Sequence, residues 1–184
     1  MKKIPTLFKR DPDNRSRVLP ELAVDLPDGA VATVKYDGSC IMFDGSDWWK
    51  RREVRPGKPI PEQFDEVDHD PVTGKRQGWV PIGDGPGDKW FREVTDGLTE
   101  LEPATFEAVG PHFQGNPHGY THDVPMQHGL IGMPDAPTDY DGLRIYLGDL
   151  NGEGIVWWAN EEPVAKIKRR DFGYPWPIPT EATS

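Results

Sequence analysis

The apolar positions of this chain fall in short runs separated by turn residues, the pattern of strands joined by loops. Val31, Thr33 and Val34 lead into Lys35, and the turn pair Asp37-Gly38 follows at once. An earlier turn at Leu26-Pro-Asp-Gly29 sets the start of that strand near Ala30. Ile41-Met42-Phe43 resumes the pattern, Asp44-Gly45 turns, and Trp48-Trp49-Lys50-Arg51 makes a third strand, so an antiparallel meander is expected around Lys35. The proline-rich stretch 55–88 lacks periodicity and is expected as a loop, ordered because of Trp79 and the neighbouring Trp90 and Phe91. Thr105-Phe-Glu-Ala-Val alternates, which sets Glu107 on the face opposite Phe106 and Ala108. A second excursion, rich in Gly, Pro and His, is expected over 111–141. Leu143-Arg-Ile-Tyr-Leu alternates as a strand, Gly154-Ile-Val-Trp-Trp opens another directly after Glu153, and Val164-Ala-Lys-Ile-Lys168 is the last. Helical turns are expected only near 61–66 and 124–130. The pattern implies a single α+β domain built on antiparallel sheet, with long ordered loops and few helices. Residues 1–29 form an arm packing on it, 30–177 the domain proper, and 178–184 a tail.

Composition narrows the chemistry. The 184 residues suffice for one substantial core, and seven Trp, seven Phe and five Tyr compensate for a hydrophobic content of 35%. A net charge of −10 disfavours a protein that coats nucleic acid, yet leaves room for an enzyme that grips a few phosphates. Basic residues cluster at Lys50-Arg51-Arg52 and at Lys166-Ile-Lys168-Arg169-Arg170, acidic ones at 62–70 and 135–141. A single cysteine, Cys40, allows no internal disulfide, and no segment reads as a signal peptide or membrane span. A soluble, cytoplasmic protein is expected.

Four places set charged side chains at strand ends: Lys35, Glu107, Glu153, and Lys166 with Lys168. The two last lysines, two residues apart, share one face while Ile167 faces the core. Two ammonium groups on one face of an inner strand are costly unless an anion neutralises them. A triphosphate would. Two carboxylates near one lysine can bind Mg²⁺ or orient the lysine amine. The histidines at 112, 118, 122 and 128 match no zinc spacing and are expected in loop packing or substrate contact. Trp79 or Trp90 could stack on bases.

This ordered set resembles the covalent nucleotidyltransferases, and within them the compact ATP-dependent 5′–3′ RNA ligases related to the human cellular enzyme. Lys35-Tyr-Asp-Gly38, Phe106-Glu107-Ala-Val-Gly110, Glu153-Gly-Ile-Val156 and Lys166-Ile-Lys168 carry the motif order. Asp70-Pro-Val-Thr-Gly74, Gly78-Trp-Val-Pro81, Asp88-Lys-Trp90, Gly110-Pro-His-Phe-Gln-Gly-Asn-Pro117 and Asp171-Phe-Gly173 extend it over roughly 30–177. The resemblance implies a ligase adenylation fold and catalysis by Lys35, Glu107, Glu153, Lys166 and Lys168. AMP would be carried on Lys35, with the backbone at Thr33 and Val34 reading adenine and Ile155 packing on its face. Asp37 and Gly38 would shape the turn, and Arg51 or Arg52 would contact ribose or the RNA end. Mg²⁺, with Mn²⁺ as a substitute, would sit on Glu153 and Glu107. The substrates implied are ATP and RNA with 5′-phosphate and 3′-hydroxyl ends, in RNA repair. Cys40 stands where the wider superfamily often has arginine, and the chain ends soon after its last lysine motif, so substrate grip is expected from the domain itself or a partner. A non-catalytic nucleotide- or RNA-binding module, or an adenylyltransferase acting on DNA ends, is the alternative.

Overall fold

Eleven strands and two α-helices make up the described part of the computed structural model, residues 2–179. The strands form three antiparallel sheets. The described residues divide into two compact units: 4–36 joined to 128–179, and 37–127 with residues 2–3. No helix among the described residues is long and apolar enough to cross a membrane.

In the first unit, β1 (Phe8–Arg10) pairs with β2 (Val18–Leu22), so the expected arm contributes a small sheet, and Leu7, Phe8 and Val18 enter the core. The central sheet sets β10 (Gly154–Ala159) between β3 (Val31–Lys35) and β11 (Glu162–Lys168). Its core face carries Ile155, Trp157, Ala165 and Ile167, all essentially inaccessible. They share one cluster with Leu143 and Leu147 of α2 (Tyr140–Asp149). That helix lies where alternation predicted a strand. Leu143 and Leu147 are one helical turn apart and fully buried, whereas Ile145, the residue that completes the alternation, is 61% exposed. Asp139 caps the helix by accepting from the Gly142 N–H at 2.8 Å. The expected tail, 178–184, lies outside the described residues from 180 onward.

The second unit is a six-stranded sheet in the spatial order β6-β7-β5-β4-β8-β9. Its strands are β4 (Ser39–Phe43), β5 (Trp48–Val54), β6 (Asp65–His69), β7 (Arg76–Pro81), β8 (Ala104–Val109) and β9 (Val124–Gln127). Ile41, Phe106 and Ala108 face a core completed by Phe113 and by Val94 of α1 (Lys89–Thr95). Three expectations are corrected here. The region 55–88 is no uninterrupted loop, since it supplies β6 and β7, and β7 buries Gly78, Trp79 and Val80. Of the two sites expected as helical turns, the first forms a hydrogen-bonded turn, with the Phe64 N–H donating to the Pro61 carbonyl at 3.2 Å just before β6, whereas β9 occupies the second, with Pro125 on the sheet's edge, where a missing N–H is tolerated. The meander around Lys35 does not form, because β3 pairs with β10 while β4 pairs with β5 and β8. Gly38 explains part of this: a Cβ there would collide with the Ala108 carbonyl, so the turn presses directly on β8 and β4 starts there.

Candidate active site

The register of the central sheet brings the predicted lysines together. Gly154 on the middle strand is opposite Lys168 on one side and Lys35 on the other, and Val156, two residues on, is opposite Lys166 and Thr33. Directly opposed residues and residues two apart share a face, so Lys35, Thr33, Gly154, Val156, Lys166 and Lys168 line one face, with the aliphatic core behind. Gly154 is required because any Cβ would fall on the Ile167 carbonyl.

Glu153 is the hub. Its side chain is 2% exposed; one carboxylate oxygen accepts from Lys35 Nζ at 2.6 Å, and the other accepts from Lys168 Nζ. Lys35 Nζ also donates to the Tyr36 carbonyl at 3.3 Å. Burial works against the charge on Glu153, but Lys35 and Lys168 outweigh it and hold the carboxyl below its ordinary range. Lys166 is pushed down to about 8, first by burial and then by repulsion from Lys35 and Lys168, with Glu153 and Asp171 opposing. Three lysines around one buried carboxylate leave an excess of positive charge on an inner sheet face, which an anion such as phosphate would compensate. A hard cation suits the carboxylate by donor type, although both oxygens of Glu153 already hold lysines.

The remaining predicted residues fall as follows. Ile155 points into the core, fully buried, on the face opposite the lysines; the residue that shares their face is Val156. The Thr33 hydroxyl donates to the Val156 carbonyl at 3.0 Å. The Val34 N–H donates to the Ile131 carbonyl at 3.0 Å, and the Ala32 carbonyl accepts from Met133 N–H at 2.8 Å, so the segment 131–133 lines the outer edge of β3. In the six-stranded sheet, Glu107 is opposite Cys40, and its Oε1 accepts the Gly38 N–H at 3.0 Å. The Asp37 N–H donates to His118 Nε2 at 2.9 Å. Glu107 and His118 thus hold two successive amides of the turn. Arg51 is partly buried, donates to Gln77 and lies over the Trp79 ring; desolvation lowers its pKa, with Cys40 and Asp68 opposing. Arg52 is exposed, and Lys50 is bound to Asp88. Trp90 stacks on His112, whose Nδ1 lies 2.6 Å from Asp123.

Sequence reasoning passed over His118 as a partner of the motif turn, and Asp88 as the partner of Lys50. Both contacts join residues far apart in the chain, and neither has a local signature.

No family model matches the chain. Similarity to curated proteins is clearer. "RNA ligase 1" of Rattus norvegicus is 29% identical over 164 residues, covering 71% of this chain and 48% of that protein. "RNA ligase 1" of Mus musculus is 28% identical over 164 residues, with 71% and 47% covered. "RNA ligase 1" of Danio rerio is 25% identical over 150 residues, with 66% and 45% covered. The chain spans about half the length of the curated relatives it matches.

Proposed function

From a chain related to the RNA ligase family, we propose an ATP-dependent RNA ligase working through a covalent lysine–AMP intermediate on a nucleotidyltransferase fold. The observation that carries the reading is the lysine face: three ammonium groups gathered around one buried carboxylate, with the candidate nucleophile among them.

The Lys35 amine, once deprotonated, attacks the α-phosphorus of ATP; the N–P bond forms, the bond to the bridging oxygen breaks, and pyrophosphate leaves. AMP then passes from Lys35 to the 5′-phosphate of an RNA end, and a 3′-hydroxyl displaces it to close the phosphodiester. Lys166 and Lys168 hold the phosphate oxygens and stabilise the charge that develops on them. Their charge also disfavours a proton on Lys35, whereas Glu153 favours it, so Glu153 aims the amine rather than freeing it. Mg²⁺, when bound, would neutralise phosphate charge, and on the lysine face Glu153 is the carboxylate suited by donor type to hold it. Glu107 shapes the turn after Lys35, and Arg51 and Arg52 are assigned to ribose or the RNA terminus. A role in joining RNA breaks with 5′-phosphate and 3′-hydroxyl ends follows.

The test is incubation with α-labelled ATP and Mg²⁺, then a denaturing gel, with labelled GTP and Lys35→Ala alongside. A covalent band from ATP alone, absent in the variant and chased by 5′-phosphorylated RNA, supports the reading. If phosphorylated DNA chases it equally, the acceptor assignment fails. No band, after bound nucleotide has been stripped, replaces the enzyme with a nucleotide-binding module.

A further inference from the structure

Beyond the lysines, the segment that begins the first unit engages the strand that carries two of them. Lys166 lies on β11, and the outer edge of that strand is lined by the stretch 5–7. The Leu7 N–H donates to the Lys166 carbonyl and the Lys166 N–H to the Pro5 carbonyl, both at 2.9 Å. Just beyond β11 the chain enters a 3₁₀ turn, Arg169–Phe172. There Asp171, with 3% of its side chain exposed, accepts the Lys168 N–H on Oδ2 at 2.9 Å and Arg10 Nη1 on Oδ1 at 2.6 Å. The other Arg10 nitrogen donates to Thr6 Oγ1 at 3.0 Å. On the far side of the turn, Arg169 is buried and donates to the Leu147 and Gly148 carbonyls near the end of α2. One guanidinium therefore links the edge segment, at Thr6, to the carboxylate that caps Lys168.

We propose that Arg10 is a positioning residue for the phosphate-gripping lysines: by engaging Asp171 it keeps that carboxylate on the Lys168 backbone and away from the lysine ammonium groups. The inference rests on the lysine face being the phosphate site. Its physical basis is charge accounting over a short range. Without Arg10, Asp171 is a buried anion with its cation removed, and Lys166, whose charge it already favours, is a cation within its electrostatic reach. Turning toward it would cancel one of the charges the site offers to phosphate and pull β11 out of register with the edge segment. An ordinary surface ion pair would have no such consequence. This pair differs because its acid is almost fully buried and caps the residue that grips the anion.

The test uses the full chain and inorganic tripolyphosphate, measured by calorimetry, with melting temperature and ATP labelling recorded on the same samples. Arg10→Gln is expected to weaken tripolyphosphate binding about tenfold, the effect of one uncompensated charge at close range, with ATP labelling reduced through KM rather than kcat. The double variant Arg10→Gln/Asp171→Asn removes the stranded charge, while the amide oxygen it introduces can still accept from the Lys168 N–H, so binding should return toward wild type. Lys9→Gln, on the same strand but paired with Glu21 in solvent, should bind as wild type. Arg10→Gln binding at wild-type strength overturns the proposal. So does a double variant that binds as weakly as the single one, or losses that track melting temperature alone. A wild type that takes up no tripolyphosphate overturns the lysine-face reading itself, and this inference with it.

Discussion

The two sheets handle charge in opposite ways. In the six-stranded sheet's unit, cations meet acids near the surface: Lys50 with Asp88, Arg76 with Glu66 at 2.7 Å, and Lys75 and Arg55 with the one-third-exposed Glu53 at 3.2 and 3.6 Å. Glu107 there supports a backbone amide. In the central sheet of the other unit, Lys35 and Lys168 converge on the single carboxylate of Glu153, and Lys166 is close enough to both for their repulsion to lower its pKa. Matched pairs on a partly exposed surface add little to stability and call for no ligand. An excess of cation beside an aliphatic core costs free energy in the empty protein, and an anion would recover it. On the proposed reading, the contrast separates a folded surface from a site prepared for phosphate.

Changes at the prepared site should have the largest effects. Lys35→Ala should abolish covalent labelling, a loss on the order of a thousandfold or more, because it removes the amine that the proposed mechanism uses as nucleophile. Labelling that survives would erase the contrast. Glu153→Gln leaves Lys35 and Lys168 without their shared anion and should cost about 2–4 kcal/mol in urea unfolding. In the balanced sheet, Arg76→Ala, with its partner exposed to water, should cost roughly 0–1 kcal/mol by the same measurement. Equal costs would mean that the two sheets do not differ as described.

A pH series sharpens the comparison further. With Lys166 below the ordinary lysine range at about 8, raising the pH through about 8 should remove its charge and weaken tripolyphosphate binding. Because the unfolded chain holds that proton up to the ordinary range, this group makes the fold more stable as pH rises from about 8. Binding that stays flat to about pH 10, the ordinary lysine range, would remove Lys166 from the site.

The helix tests the core behind the lysines. Leu147→Ala should cost about 2–5 kcal/mol, and Ile145→Ala, at an exposed position, within about 0.5 kcal/mol. Similar costs would restore the strand that alternation suggested.

What was legible followed local periodicity. β3, β10 and β11 alternate or run apolar because they are built around a core, and the two-residue spacing of Lys166 and Lys168 puts both on one face. α2 was misread because Ile145, an exposed apolar residue, mimics strand alternation, and the period from Leu143 to Leu147 carries the true signal. β6 was missed because an edge strand needs no apolar face, and Asp65-Glu-Val-Asp-His69 has almost none. Ile155 was placed on adenine by motif position, whereas strand parity turns it to the core and Val156 toward the lysines. The pairing of β3 with β10, far apart in the chain, has no local cause that a sequence displays. Nor have the contacts of Arg10 with Asp171 or His118 with Asp37.

The central claim, that Lys35 is where the nucleotide is carried, is tested most directly by peptide mapping of the intact chain after incubation with ATP. The account predicts a single AMP adduct on the peptide containing Lys35, formed with ATP and not with GTP. No adduct, or one confined to Lys166 or Lys168, would contradict it.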